Sequence, residues 1–201
     1  MTRLLLIRHA EPDEDARGRC YGRLDVGLSP AGLASAGWLA ESLRAVELDA
    51  VYVSPRLRAV QTAAALGASP TVDDRLRELD FGHFEGRTYD EIEREQPEFF
   101  RSWMETPTLV RFPGGESYAE LRERVAAAVG DIVAANDDKT VALVSHGGVI
   151  RAALAVALGL PDDRAFALAL GYARISIVDV FDGTPIVRLV NGVAADVPLD
   201  L

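Results

Sequence analysis

Two short apolar runs constrain this chain more than any other feature. Leu4-Leu5-Leu6-Ile7 lies between Arg3 and Arg8-His9, and Val141-Ala142-Leu143-Val144 leads into Ser145-His146-Gly147-Gly148. Apolar runs of this length with no polar alternation are what strands buried on both faces require, and such strands belong to sheets covered by helices on either side. The runs therefore predict that Arg8 and His9 leave the carboxyl end of one strand and His146 leaves the carboxyl end of another. Ligands of open α/β sheets bind at that edge. The two histidines can meet there if the strands are neighbours.

The rest of the chain fits this frame. Its 201 residues suit one α/β domain, and 49% hydrophobic with 26% charged residues is the composition of a folded protein. A net charge of −10 disfavours nucleic acid or an acidic membrane as partner, so a local cluster of Arg and His is the more informative. Cys20 is the only cysteine, which excludes an internal disulfide and a Cys-rich metal site. The apolar run before Arg8 is too short for a secretory signal, and the longest apolar stretch, Ala152 to Leu160, is too short to cross a bilayer. A soluble, cytoplasmic protein is expected, with its oligomeric state open.

Local signals place the other elements. A long Gly-punctuated loop, Glu11 to Leu28, precedes a helix starting at Ser29-Pro30, with Leu33, Ala36, Ala40 and Leu43 as its expected buried face. A strand, 49–53, is followed by Ser54-Pro55, which reads as a second helix start, with the helix running Arg56 to Leu66 and Gly67 just past its end. Thr71-Val72 is a candidate edge strand. Thr88/Glu91 and Ser117/Glu120 are capping boxes, Pro97 starts or kinks a further helix, and another helix follows His146, from Val149 to Leu158. Asp182-Gly183-Thr184 joins two β-rich runs as a hairpin. The expected fold is α/β in three layers, α/β/α, with a mostly parallel open sheet, a C-terminal hairpin and a helical cap inserted at about residues 82–116 of a single 1–201 domain. The aromatics at 99 to 103 are expected to form the cap's own core.

Arg8-His9 after a strand, Arg58 after Ser-Pro, Glu78 in Arg77-Glu78-Leu79-Asp80-Phe81-Gly82 and Ser145-His146-Gly147-Gly148 together resemble the histidine phosphatase superfamily, the phosphoglycerate-mutase-like proteins. Leu28-Ser29-Pro30-Ala31-Gly32, Ala59-Val60-Gln61-Thr62-Ala63, Gly82-His83-Phe84-Glu85-Gly86 and Pro113-Gly114-Gly115-Glu116-Ser117 look like further family blocks in family order, so the resemblance covers nearly the whole chain. It implies a metal-independent, cofactor-free phosphomonoester hydrolase of a small-molecule phosphate, working through a phosphohistidine. The loop 19–25 is similar to that of α-ribazole-5′-phosphate phosphatases, and a sugar or glycerate phosphate is the other candidate substrate. The alternatives are a phosphoglycerate-type mutase, which passes the phosphoryl group to a second hydroxyl, and a non-catalytic phospholigand-binding protein that kept the fold.

The chemistry suits these residues. A neutral imidazole is a good nucleophile near neutral pH, so His9 is the candidate attacking group. Arg8 and Arg58 offer planar donor forks that match phosphate oxygens. His146, if cationic, adds a donor for the charge of the transition state, and it counts among both the catalytic and the phosphate-binding candidates. The resemblance places the acid and base role on Glu78, with Glu85 as competitor, and a bound phosphate would raise the pKa of that carboxyl. Arg19, Tyr21 and Gly147 are candidate substrate contacts, and His83 is expected only to pack or turn. Two positions depart from the family: Ala10 stands where glycine is usual after the nucleophile, and Asp15 where many members carry a phosphate-contacting asparagine. Asp15 is expected to point away, with Arg17, Arg19 or Tyr21 as substitute. A cysteine-phosphatase loop fails, because Cys-x5-Arg would need arginine at position 26, which is Val26. Asp179 and Asp182 are better explained by the hairpin than by an aspartyl-phosphate site.

Overall fold

The computed structural model describes residues 1–67, 69–193 and 196–197. Six strands form one sheet: β1 (Thr2–Arg8), β2 (Ala50–Val53), β3 (Thr71–Val72), β4 (Thr140–Ser145), β5 (Ile175–Phe181) and β6 (Thr184–Gly192), in the order β3-β2-β4-β1-β5-β6. β1, β2, β3 and β4 run parallel, β5 runs antiparallel to β1, and β6 pairs antiparallel with β5 to complete a hairpin. The turn of that hairpin places Asp182 and Gly183 at φ +47° and +79°, the left-handed pair that a tight hairpin asks for. β1 and β4 are neighbours, with Arg8 opposite Ser145, so His9 and His146 emerge side by side.

Alternation along the strands explains the layers. Leu4 and Leu6 of β1 face α5 (Tyr118–Ala135) and α6 (Gly147–Ala157), while Leu5 and Ile7 face α1 (Pro30–Ser42) and α2 (Leu57–Ala65). All four side chains are at most 3% exposed. Each contributes about 1.5–3 kcal/mol by leaving water. No helix among the described residues is long and apolar enough to cross a membrane.

Three local expectations change. The buried face of α1 and its C-cap is Gly32, Ala36, Leu39 and Leu43, whereas Leu33 is 53% exposed. A Cβ on Gly32 would lie 2.0 Å from the Glu11 carbonyl oxygen, so that glycine fixes which side of α1 approaches the loop. α2 starts one residue later than expected, at Leu57 with Arg56 at the N-cap and no side-chain cap; Ser54 lies two residues before that position, with its hydroxyl on His146. α6 opens at Gly147, two residues before the expected start.

Residues 82–116 hold α3 (Tyr89–Glu95) and α4 (Pro97–Glu105) around a separate aromatic cluster of Phe84, Ile92, Trp103 and Phe112, with Phe99 and Phe100 packed against it. Both expected capping boxes form, at Thr88/Glu91 and Ser117/Glu120. Gly82, at φ +54°, closes the base of this excursion: a Cβ there would lie 2.2 Å from the Pro113 carbonyl oxygen. His83 sits in the same turn, where its backbone N–H donates to that carbonyl.

Candidate active site

The two strand ends bring the histidine rings to 5.1 Å between centroids, inclined at 63°. His9 is 1% exposed and His146 fully buried, and each is held through one ring nitrogen. Nδ1 of His9 lies 2.7 Å from the Ala10 carbonyl oxygen. A carbonyl can only accept, so Nδ1 holds the proton and Nε2 presents a lone pair. His146 is tied the other way round: Nε2 lies 2.7 Å from the Ser54 hydroxyl, and Nδ1 is buried without a partner. Ser54 Oγ also accepts the Arg56 N–H, at 3.4 Å; with the hydroxyl donating its proton to Nε2, the ring proton stands on Nδ1.

Burial pushes both imidazoles well below the usual histidine range. The Arg58 guanidinium adds to this at both rings and Arg8 to a lesser degree, with His9 also acting on His146. His146 is therefore neutral in the free protein, and with the Ser54 hydroxyl donating to Nε2 it offers an Nδ1–H dipole rather than a cation.

The arginines differ from free donor forks. Arg58 is fully buried and sends Nη1 to the Leu24 carbonyl at 2.8 Å and Nη2 to those of Tyr21 and Gly22 at 2.9 and 3.3 Å. Arg8 donates Nη1 to the Leu170 carbonyl. Each keeps a buried Nε without a partner. Among the described residues, six buried side-chain N or O atoms lack a partner, and four of them are nitrogens of Arg8, Arg56, Arg58 and His146. Orphaned buried donors are costly, so a set of this kind around two strand ends is the signature of a site shaped for an anion. α6 begins here with His146 at its N-cap and no side-chain cap, so its dipole also favours negative charge. Gly147 is buried against Arg8, where a Cβ would lie 3.4 Å from Nε.

Glu78 reaches the same helix start. Its Oε2 accepts the Gly148 N–H at 3.2 Å and its Oε1 the Leu79 N–H at 3.0 Å. A Cβ on Gly148 would lie 2.3 Å from Oε1, so glycine there is what lets the carboxylate in. The segment before Glu78 is fixed by Ser145 Oγ, which donates to the Leu76 carbonyl at 2.7 Å, and by Arg124 of α5, which donates to the Arg75 and Arg77 carbonyls at 2.7 and 2.8 Å. Glu85 does not share this position. It accepts the Phe81 N–H at 3.0 Å inside the cap base, where burial raises its pKa.

A cleft of about 1000 Å³ opens beside the histidines, lined by Arg8, Tyr21 and Tyr172, by Arg17, Arg19 and Tyr89, and by Glu11, Asp13, Glu14 and Asp15. Arg19 is half-buried there and donates to the Gly86 carbonyl at 2.8 Å. Asp15 is exposed on the short 3-10 turn 14–16, which forms part of the wall of this cleft. Cys20 is buried in the cap cluster with its thiol pushed up to about 12 by burial, which makes it inert. Asp179 is buried in an ion pair with Arg3 and Arg188 on the distant hairpin.

Sequence reasoning missed Ser54, Gly148, Arg124 and Tyr172. The Ser54-Pro55 and Gly147-Gly148 pairs were visible signals, but each pointed to a local role. Arg124 and Tyr172 stand in no motif.

Comparison with known proteins agrees with this geometry. Residues 4–192 match the model of the histidine phosphatase superfamily, branch 1. Phosphoserine phosphatase 1 of Hydrogenobacter thermophilus is 32% identical over 195 residues, which covers 95% of this chain and 92% of that protein. The mycobacterial glucosyl-3-phosphoglycerate phosphatase superposes with a TM-score of 0.85 at 31% identity, over 94% of this chain and 98% of the other. The α-ribazole phosphatase of Shigella flexneri gives 0.86 at 25% identity, over 94% and 96%. The chain belongs to branch 1 of the histidine phosphatase superfamily.

Proposed function

We propose that this phosphatase hydrolyses a small cytosolic phosphate monoester through a phosphohistidine on His9, with no metal taking part. The observation that carries this reading is the tied Nδ1 of His9, which leaves Nε2 unprotonated at a strand end where Arg8, Arg58 and His146 each keep a buried nitrogen without a partner.

In the first step Nε2 attacks phosphorus as the ester oxygen departs in line. The Nε–H groups of Arg8 and Arg58, the Nδ1–H of His146 and the start of α6 meet the charge on the three equatorial oxygens, which is the work a metal does elsewhere. Glu78, held at Gly148 and entering the step as the carboxylic acid, donates its proton to the leaving oxygen and becomes the carboxylate. In the second step the same carboxylate takes a proton from the attacking water, the N–P bond breaks and phosphate is released.

A mutase shares the first step and needs a second phosphorylated acceptor. Dependence of turnover on a bisphosphorylated cofactor separates the two. The relatives point to phosphoserine, a glucosyl-phosphoglycerate or α-ribazole phosphate as the kind of substrate to screen. Phosphate release from p-nitrophenyl phosphate in the presence of a chelator tests the reading. Wild-type turnover that His9→Ala abolishes is expected. Turnover retained by His9→Ala, or lost to the chelator, would refute it.

A further inference from the structure

The His9 imidazole is almost wholly covered. His9 is 1% exposed and does not line the cleft, whereas Arg8, Tyr21 and Tyr172 do. The two tyrosines flank the imidazole, with ring centroids 5.5 Å away for Tyr172 and 6.5 Å for Tyr21. Their hydroxyls meet at 3.0 Å. Each ring also rests on one of the candidate phosphate-binding arginines: the Arg8 guanidinium lies 4.1 Å from the Tyr172 centroid, and that of Arg58 lies 4.9 Å from the Tyr21 centroid. Tyr21 is set by the loop carbonyls that Arg58 clamps, its own included. Tyr172 precedes Ala173, whose left-handed backbone at φ +52° brings its N–H to the His9 carbonyl.

We propose that Tyr21 and Tyr172 form a hydrogen-bonded gate over His9 and determine which leaving groups the site accepts. This rests on the phosphatase reading above. In-line transfer requires the ester oxygen to depart on the side of phosphorus opposite His9, and therefore toward the cleft, between these rings. A guanidinium binds phosphate through its N–H edge, while a ring stacks on its face, so both arginines can hold phosphate with the tyrosines still in place. Opening requires only that the two hydroxyls part. The rings then stand on either side of the carbon that bears the ester oxygen, and a narrow primary ester passes more easily than a branched one.

Because the closed gate competes with the ligand, the hydroxyl pair lowers apparent affinity by the fraction of time it is open. Tyr172→Phe removes the bond and keeps the ring on Arg8. Tyr21→Phe does the same on the other side. Each is expected to tighten orthovanadate binding, read by calorimetry, by about two- to fivefold, the range for one exposed neutral hydrogen bond. Since either change deletes the same bond, the double variant should gain no more than a single one. A supporting role in the fold alone would instead weaken binding and lower the melting temperature. Unchanged or weaker binding in the single variants, or additive gains in the double, would overturn the gate.

The specificity claim is read separately, from kcat/KM for a primary and a secondary alkyl phosphate. Tyr172→Ala should bring the two values closer together, and an unchanged ratio would overturn this part. Orthovanadate binding that follows the pattern in a protein that releases no phosphate would leave the gate standing and refute the hydrolase reading. Normal turnover with no effect on orthovanadate would do the reverse, and a wild type that binds no orthovanadate would overturn both.

Discussion

The carboxyl ends of β1 and β4 lie side by side, and each releases a buried histidine, yet the two imidazoles are held in opposite senses. At the β1 end the Ala10 carbonyl accepts the Nδ1–H of His9 and leaves Nε2 with a lone pair. At the β4 end a side chain from a third strand end, Ser54, engages Nε2 of His146 and leaves Nδ1 without a partner. The same residue type, in nearly the same burial, is thereby suited to the proposed role of nucleophile in one case and of donor in the other. The difference comes from which nitrogen is tied, and it makes unequal demands on the sequence: a carbonyl is present after any residue, while a hydroxyl must be supplied.

If the two ends have these separate roles, His9→Gln and His146→Gln should fail differently. His9→Gln should form no phosphoenzyme at all. His146→Gln should still form it, about 10²- to 10³-fold more slowly in rapid-quench experiments, as for loss of one donor to the transition state. Equal loss of the phosphoenzyme in both variants would break the distinction.

Glu78→Gln should lower kcat by about 10²- to 10⁴-fold for an alkyl phosphate, and clearly less for p-nitrophenyl phosphate, whose leaving group needs little proton donation. An equal loss on both esters would place Glu78 outside the proton transfer to the leaving group. Ser54→Ala touches the β4 end only. It should reduce kcat about three- to tenfold, the scale of one neutral hydrogen bond, because the His146 ring is then free to place its proton on either nitrogen. A rate unchanged from wild type would mean that the ring is oriented by its packing alone.

The smallest effect is on stability. Both histidines have pKa values depressed in the folded protein, chiefly by burial, so the unfolded chain binds more protons at and below about pH 6.5. The stabilisation from these neutral rings is complete above that value and is lost as the pH falls. Urea midpoints should drop between about pH 7.5 and pH 5, and less steeply in His146→Gln. A midpoint independent of pH across this window would contradict the neutral, buried state of the rings.

The β1 and β4 ends also mark what could be read from sequence. Uninterrupted apolar runs ending in Arg8-His9 and Ser145-His146 announce central strands and the residues they release, because burial on both faces leaves no room for alternation. The hairpin at Asp182-Gly183 and the capping boxes were equally legible, since their chemistry is local. The phase of α1 was not: Pro30–Ser42 is so rich in small and apolar residues that 33/36/40/43 and 32/36/39/43 are equally good stripes, and contact with the Glu11 backbone decides between them. Ser54 read as a helix cap because its partner, His146, lies 92 residues away. Tyr172 stands in an irregular loop and gains its place only when that loop folds against Arg8 and His9. The sequence-legible part of the site is the set of residues at strand ends, and the part that was hidden is what those residues touch.

The most direct test of the account is to identify where the phosphoryl group resides during turnover. Wild-type protein, quenched in alkali within milliseconds of mixing with substrate and mapped by mass spectrometry without acidification, so that the acid-labile N–P bond survives, should bear one phosphoryl group on His9, absent from His9→Gln. Phosphate release with no phosphoenzyme, or a label on any other residue, would contradict the assignment of His9 Nε2 as nucleophile.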